Sequence, residues 1–231
     1  MKRFYGEVGV LVAESGFGVT LDGKPLRTPA KALLAVPSRS LAEAIAAEWR
    51  GQGSDVTLDD LRLTRLASTA IDLVAARRAE VIGDIVRYAG TDLVCYRAGH
   101  PPELAQRQHE AWQPLIDWAS WRYDAALEVT IGVVPVAQLP TTLRAFAVAV
   151  ESYSPLELAG LHTATAACGS LVVALALFEG QLDVAGAFAA SQLDESFEIE
   201  QWGEDAEQIR RRAALKDDIA LAHRFVTLLR E

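Results

Sequence analysis

The sequence predicts an α+β fold: a small antiparallel β-rich N-terminal domain followed by an α-helical C-terminal domain. Two observations carry that expectation. From Phe4 to Val36, short β-type runs alternate with turn residues, the period-two pattern of a half-buried antiparallel sheet. Beyond the acidic link Ser54 to Asp60, apolar residues recur at helical spacing in segments bounded by Pro, Gly or capping residues. The expected division is 1–136 for a β-containing N-terminal domain with intervening helices and 137–231 for a helical C-terminal domain.

The N-terminal runs are Val8–Val12 and Phe17–Leu21, separated by Glu14-Ser15-Gly16 and followed by Asp22-Gly23. Asp-Gly between alternating segments is a hairpin signal, because both turn positions tolerate positive φ. Pro37-Ser38-Arg39-Ser40 leads into a helix, with Ser40 expected as its cap, Glu43 completing a capping box, and Leu41, Ala44, Ile45 and Trp49 as its apolar face. Gly51 and Gly53 end it, glycine being able to take the left-handed conformation that closes a last turn.

Next come a stripe of Leu66, Ala67, Ala70, Ile71 and Val74 and another of Val81, Ile85 and Tyr88, stopped by Gly90. Pro101-Pro102 opens a helix running through Trp112 to Trp118, with Pro114 as an expected kink. Leu127–Ile131 alternates again and is expected to return to the N-terminal sheet. Helices are predicted for Pro140–Ser152, Pro155–Glu179, Leu182–Trp202 and Asp205–Leu229, the last capped by Asp205 with Gln208 three residues on.

With 51% apolar residues, 31 acidic against 22 basic side chains and a net charge of −9 over 231 residues, this is the composition of a folded acidic protein. It has no global positive field to attract phosphate backbones, so nucleic acid is excluded as a partner. No secretory signal peptide is expected. Cys95 and Cys168 lie far apart among apolar neighbours, which supports neither a disulfide framework nor a metal site and fits a reducing cytoplasm. Leu158–Phe178 carries no formal charge and is long enough to consider as a membrane span. His162, Thr163, Thr165 and Ser170, with Gly160 and Gly169, make its first half polar, and a buried helix is expected rather than stable membrane insertion.

A search for chemistry yields no catalytic constellation. Gly16-Phe-Gly18 continues into a strand and no Gly-Lys-Ser/Thr triplet occurs, so no phosphate-cradling loop is expected. His100, His109, His162 and His223 lack ligand spacing; neither metal nor cofactor is expected. Ser170 lacks the second glycine of a nucleophile elbow. The pairs Asp59-Asp60, Asp194-Glu195, Glu204-Asp205 and Asp217-Asp218 point about 100° apart on a helix and do not form proton-sharing dyads. Arg210-Arg211-Arg212 is assigned to i to i+4 pairing with Glu204–Glu207. Two alternatives stay open: an enzyme using Asp72 or Asp92 beside Arg65 or Arg97, and a membrane adaptor using Leu158–Phe178.

One segment resists a bland reading. Leu193–Asp205 combines two aromatics, dense carboxylates and a break at Gly203. Phe197 and Ile199 do not share one narrow helical stripe, so some of its apolar surface is expected to face away from the core. The competing expectation is structural, with Trp202 plugging the junction between the last two helices and Glu204 and Asp205 favourable at the N-terminus of the following one.

Taken together, Leu21–Pro29 (LDGKPLRTP), Ala46-Ala-Glu-Trp49, Thr64–Asp72 (TRLASTAID), Thr91–Arg97 (TDLVCYR), Gln108–Trp112 with Pro114, Trp118 and Tyr123, and Leu193–Gly203 resemble the assembly chaperones of the F-type ATP synthase of mitochondria and related bacteria. The resemblance covers nearly the whole chain. It implies a β-rich N-terminal and a helical C-terminal domain, no enzymatic activity, and the unassembled alpha subunit of the catalytic head as partner. It further suggests a partner-binding surface around Glu195, Phe197, Glu200, Trp202 and Glu204, with Trp202 as anchor and Glu195 the carboxylate best matched to the family pattern. Gln113 and Glu198 depart from that pattern, which often has Asp and Gln there, so no role is carried over to either. Trp49 is assigned to folding. The composition is compatible with a monomer.

Overall fold

The structure, a computed structural model, describes residues 1–14 and 16–231. Strands β1 (Val8–Ala13), β2 (Gly16–Leu21), β3 (Lys24–Pro25) and β4 (Ala35–Val36) form an antiparallel sheet in which β2 pairs with each of the others. Asp22 and Gly23 make the anticipated two-residue turn between Leu21 and Lys24, with φ of 49° and 75°. The Asp22 carboxylate accepts the Glu7 and Gly6 amides at 2.8 and 2.9 Å, and these donors hold its carboxyl below the ordinary range. Of the anticipated Glu14-Ser15-Gly16 turn, Ser15 lies outside the described residues. Gly16 has φ of +125°, and a Cβ there would stand 2.3 Å from the Val36 carbonyl oxygen, so only glycine lets β4 pass alongside.

Helix α1 (Arg39–Arg50) starts earlier than the sequence suggested. Its cap is Ser38, whose Oγ accepts the Leu41 amide at 3.2 Å, and not Ser40. Pro37 precedes an extended Ser38, which places that hydroxyl over the first turn. Glu43 pairs with Arg50 instead of closing a capping box. Gly51 ends the helix in a right-handed conformation, φ −70°, so the left-handed closure expected there does not form. A 3₁₀ turn (Leu58–Asp60), helix α2 (Arg62–Thr69), a π turn (Ala70–Val74) and helix α3 (Arg78–Ala89) follow. In α3 the buried stripe is Ile82, Ile85 and Ala89, one step round from the expected Val81 and Tyr88.

A 3₁₀ turn (Leu93–Cys95) and strand β5 (Tyr96–Arg97) lead to helix α4 (Pro102–Tyr123), which runs through Pro114. Strand β6 (Thr130–Ile131) pairs in parallel with β5. The expected strand Leu127–Ile131 is thus mostly absent and does not join the N-terminal sheet. Its backbone is satisfied otherwise: the Gln138 amide accepts the Glu128 N–H and donates to the Glu128 carbonyl, both at 2.9 Å.

Helix α5 (Pro140–Glu151) is as predicted. The predicted Pro155–Glu179 helix is two helices, α6 (Pro155–Cys168) and α7 (Leu171–Phe178), parted at Gly169 (φ 63°) and restarted by Ser170, whose Oγ caps Val173. The predicted Leu182–Trp202 helix is likewise α8 (Val184–Ser191), capped by Asp183, and α9 (Leu193–Trp202). Helix α10 (Ala206–Arg230) opens with the expected box: Asp205 Oδ1 accepts the Glu207 and Gln208 amides, and Gln208 Oε1 accepts the Asp205 amide. Among the described residues no helix is long and apolar enough to cross a membrane.

The chain clusters into two compact units that do not follow the 1–136 and 137–231 division. One comprises Met1–Arg78, Ser154–Gly160 and Arg224–Glu231, and the other Ala79–Tyr153 and Leu161–His223. Late segments belong to the first unit through specific bonds, Ser38 Oγ to the Leu228 carbonyl and Arg230 to Glu157 at 3.0 Å. Its core is Val19, Leu34, Val36, Leu41, Ile45 and Leu63, all fully buried. The second unit buries Trp112 and Phe146, together with the whole of α7, each such large apolar side chain contributing about 1.5–3 kcal/mol.

Candidate functional site

Helix α9 lies in the second unit and has two unlike faces. On a helical wheel Phe197 and Glu200 share one side and Glu195 and Trp202 the opposite one, with Asp194 and Glu198, one turn apart, along the boundary between them. The first side is held by α4. Asp194 Oδ1 accepts Gln108 Nε2 at 2.8 Å. Arg107 lies 5.2 Å from the Phe197 ring centroid and donates from Nη1 to both Glu200 oxygens at 2.8 and 2.7 Å. Burial pushes the Asp194 carboxyl up, offset in part by the Gln108 hydrogen bond and the Arg97 charge.

The α4 residues are themselves fixed. Gln108 accepts the Ala98 amide with its side-chain oxygen and its carbonyl accepts Arg97 Nη1, both at 2.6 Å. The Trp112 indole donates to the Ala190 carbonyl at 2.8 Å, with Arg97 5.2 Å from its ring. An uncharged glutamine thus orients the acid on α9, and a buried tryptophan ties α4 to the end of α8.

The expected site residues therefore divide. Phe197 is 8% exposed and belongs to the packing. Glu200 is exposed but engaged by Arg107. Trp202 is 79% exposed, so it does not plug the junction to α10. Glu195 is half-buried, and among the described residues its carboxylate has no hydrogen bond or ion pair. Glu204 follows Gly203, where φ is 85°, and lies 3.5 Å from Arg212 Nε. That pair spans the turn between helices, so the i to i+4 pairing expected for Arg210–Arg212 is not what holds Arg212. Arg212 also donates to Ser196 Oγ at 3.0 Å and lies over Phe188 at 5.3 Å.

The outward surface of α9 is then Glu195, Glu198 and Trp202, one large aromatic beside carboxylates with no cation of α9 to neutralise them; Glu204, beyond its end, is paired with Arg212. An exposed tryptophan with acidic neighbours offers an anchor and a guiding field to a partner with an apolar pocket and basic rim. Glu198 was not singled out from the sequence; its spacing of three from Glu195 and four from Trp202 was the available signal. Arg107, Gln108 and Asp194, which set the helix orientation, carry no such local signal.

The carboxylates of the enzyme alternative are separate. Asp92 is fully buried and accepts the Val94 and Val172 amides at 3.3 and 3.1 Å, while Arg97 donates from Nη1 to the Gln108 carbonyl and lies over Trp112, its Nη2 buried without a hydrogen-bond partner. Asp72 accepts the Ala30 amide at 3.0 Å. Among the described residues no three His, Cys, Asp or Glu side chains are grouped to hold a metal ion.

Comparison with known proteins gives a consistent set of likenesses. A family model described as ATP12 chaperone protein matches residues 2–120. The protein atp12, mitochondrial, of Schizosaccharomyces pombe is 25% identical over 222 residues, covering 90% of this chain and 76% of its own. The crystal structure of Atp12 from Paracoccus denitrificans is 39% identical with a TM-score of 0.95, covering 99% of this chain and 98% of that one. The Atu1473 protein of Agrobacterium tumefaciens is 43% identical with a TM-score of 0.94, over 99% and 86% of the respective chains.

Proposed function

The chain belongs to the ATP12 chaperone family, and from that premise we propose that it binds the unassembled alpha subunit of the F-type ATP synthase head and releases it to beta subunits. The observation that carries this reading is the family likeness over the whole length, 99% of the chain at a TM-score of 0.95. The surface of α9 supplies a physical route.

An alpha subunit without its neighbours exposes apolar and nucleotide-site surfaces that would otherwise be covered, and patches of that kind aggregate. A protein that binds the exposed monomer stabilises it by mass action and leaves when the tighter partner arrives. In this proposal Trp202 anchors the contact, and Glu195 and Glu204 guide the approach. Glu200 acts with Arg107 to hold the helix, and Phe197 supports it from the core side. The site of action is the cytoplasm, where no cofactor is called for.

The test is co-expression with the same organism's alpha subunit in the absence of beta, beside a beta-only control. The expected result is a soluble complex with alpha alone. Alpha remaining aggregated and unbound would overturn the reading.

A further inference from the structure

We infer that Arg212, reaching back from α10, is a positioning residue for the outward face of α9: it fixes the corner from which Trp202 projects toward a partner. The inference rests on the reading of α9 as the client-binding surface and concerns that same site.

Trp202 is the last residue of α9 and projects into solvent, so its direction is set by the backbone at the corner and not by packing around its own ring. The Gly203 amide still bonds to the Ile199 carbonyl at 2.8 Å. The chain then leaves the helix with φ 85° and ψ 178° at Gly203, a conformation open essentially to glycine alone. Gly203, Glu204 and Asp205 are all that joins α9 to α10. A glycine brings no side chain to hold the angle, so the corner is held from elsewhere.

Arg212 holds it. Its Nε lies 3.5 Å from Glu204 Oε1 on the corner, and its Nη2 donates to Ser196 Oγ on α9 at 3.0 Å. Ser196 is fixed in turn: its hydroxyl donates to the Gln192 carbonyl at 2.6 Å, so the oxygen presents a lone pair to the arginine. The guanidinium carbon lies 5.3 Å from the Phe188 ring centroid on α8. One side chain thus reaches α8, α9 and the corner, the last two through separate nitrogens of a rigid fork that a lysine ammonium cannot reproduce. Lys216 brings a second cation to the same ring at 5.8 Å, so the two directed contacts are what distinguishes Arg212. Its Nη1 is buried without a hydrogen-bond partner, and a charge kept in place at that cost fixes geometry rather than adding stability. Arg210 and Arg211, its neighbours in the same triplet, are exposed.

The experiment labels the full chain with fluorotryptophan and follows the Trp202 fluorine resonance, assigned by its loss in Trp202→Phe, beside melting temperature and affinity for the alpha subunit. In Arg212→Ala the Trp202 resonance should shift and the Kd should rise about tenfold, within the range by which residues that do not touch a ligand alter its affinity. Arg212→Lys keeps a cation near Phe188 but cannot span both acceptors, and should act in the same direction to a smaller degree; it carries the test if Arg212→Ala does not fold. Ser196→Ala should weaken binding too, and adding it to Arg212→Ala should cost nothing further, because both remove the same bond. Arg211→Ala makes the same change of charge at an exposed position and should leave the resonance and the Kd unaltered. An unmoved Trp202 resonance in a folded Arg212→Ala variant, additive losses in the double variant, or an equal loss in Arg211→Ala would overturn the inference. Affinity lost in Trp202→Ala but kept in Arg212→Ala would overturn it too and leave the client reading standing. Affinity kept in both would overturn the assignment of α9, and the inference with it. The fluorine arm needs no partner, so it decides the inference even if the alpha subunit proves not to be the client.

Discussion

The Trp49 indole nitrogen donates to the Thr64 hydroxyl across 3.1 Å, and the same hydroxyl donates onward to Glu48 Oε2 at 2.8 Å. Glu48 in turn accepts the Leu63 and Thr64 amides at 2.6 and 2.9 Å. Helix α2 begins after Leu61, which offers no side-chain acceptor, so its first free amides are capped by an acid borrowed from α1. Tyr5 closes the far side by donating to the Trp49 carbonyl at 2.7 Å. The Ala46–Trp49 and Thr64–Asp72 stretches thus act as one packing unit.

Trp49→Ala should therefore lower stability by about 3–5 kcal/mol, the usual cost of emptying a buried aromatic site. Trp49→Phe keeps most of the apolar contact but removes the indole donor, a loss of about 1 kcal/mol for the hydrogen bond before any repacking. Urea midpoints for the two variants check this. An unchanged midpoint for Trp49→Ala would show that the tryptophan is not part of the core.

The two aromatics of α9 should separate cleanly. Phe197→Ala removes a side chain that is 8% exposed and should cost about 3–5 kcal/mol of stability. Trp202→Ala removes one that is 79% exposed and should leave stability within about 0.5 kcal/mol, while weakening alpha-subunit binding by about 2 kcal/mol or more if it is the anchor. Glu195→Gln should behave like Trp202→Ala, with a smaller loss. Thermal melts beside affinity measurements decide it; a Trp202 variant that melts early but binds normally would reverse the assignment.

Much of the fold could be read from local chemistry. Asp22-Gly23 specified its own hairpin, and Asp205 with Gln208 specified the start of α10, because in each case the bonds that form lie within a few residues. The missed features depend on distant partners. Leu127–Ile131 alternates like a strand, yet Gln138 takes the Glu128 backbone. Gly169 and Ser170 break a run whose apolar pattern continues through them, since burial on all sides removes the amphipathic signal. In the candidate site the sequence showed an unusual cluster but not its direction. Phe197 was expected on the same partner surface as the anchor Trp202, and it is Arg107, 90 residues away in sequence from Phe197, that fixes which face of α9 turns inward.

The pair Arg107–Glu200 joins α4 to α9 but is about half exposed on both sides, so it should contribute only about 0.2–1 kcal/mol. Glu200→Ala and Arg107→Ala differ in one respect: only the arginine change also strips the cation from over the Phe197 ring. A double-mutant cycle read by chemical denaturation should give a coupling within that range, shrinking as salt is raised from 0.05 to 0.5 M. A coupling indifferent to salt would mean that the contact is packing by the arginine stem rather than charge.

Asp92 gives a pH dependence of the less familiar sign. It is fully buried, and burial pushes its carboxyl up from 3.8 to about 6, against hydrogen bonds from Ser170 and from the Val172, Val94 and Leu171 amides. The folded protein therefore holds this proton more tightly than the unfolded chain does. Its contribution is fully present below the unfolded value near 3.8, is lost as pH rises through about 6, and is constant above that. Asp92→Asn removes the titration but leaves one of the capped amides facing an NH₂ group, for a loss of about 1–3 kcal/mol. The difference in melting temperature between wild type and Asp92→Asn should thus be largest at pH 4 and narrow toward pH 6.5, the other carboxylates cancelling in the comparison. A difference that instead widens with rising pH would mean that the charged form is the one the α7 N-terminus stabilises, and that the helix amides outweigh the cost of burial.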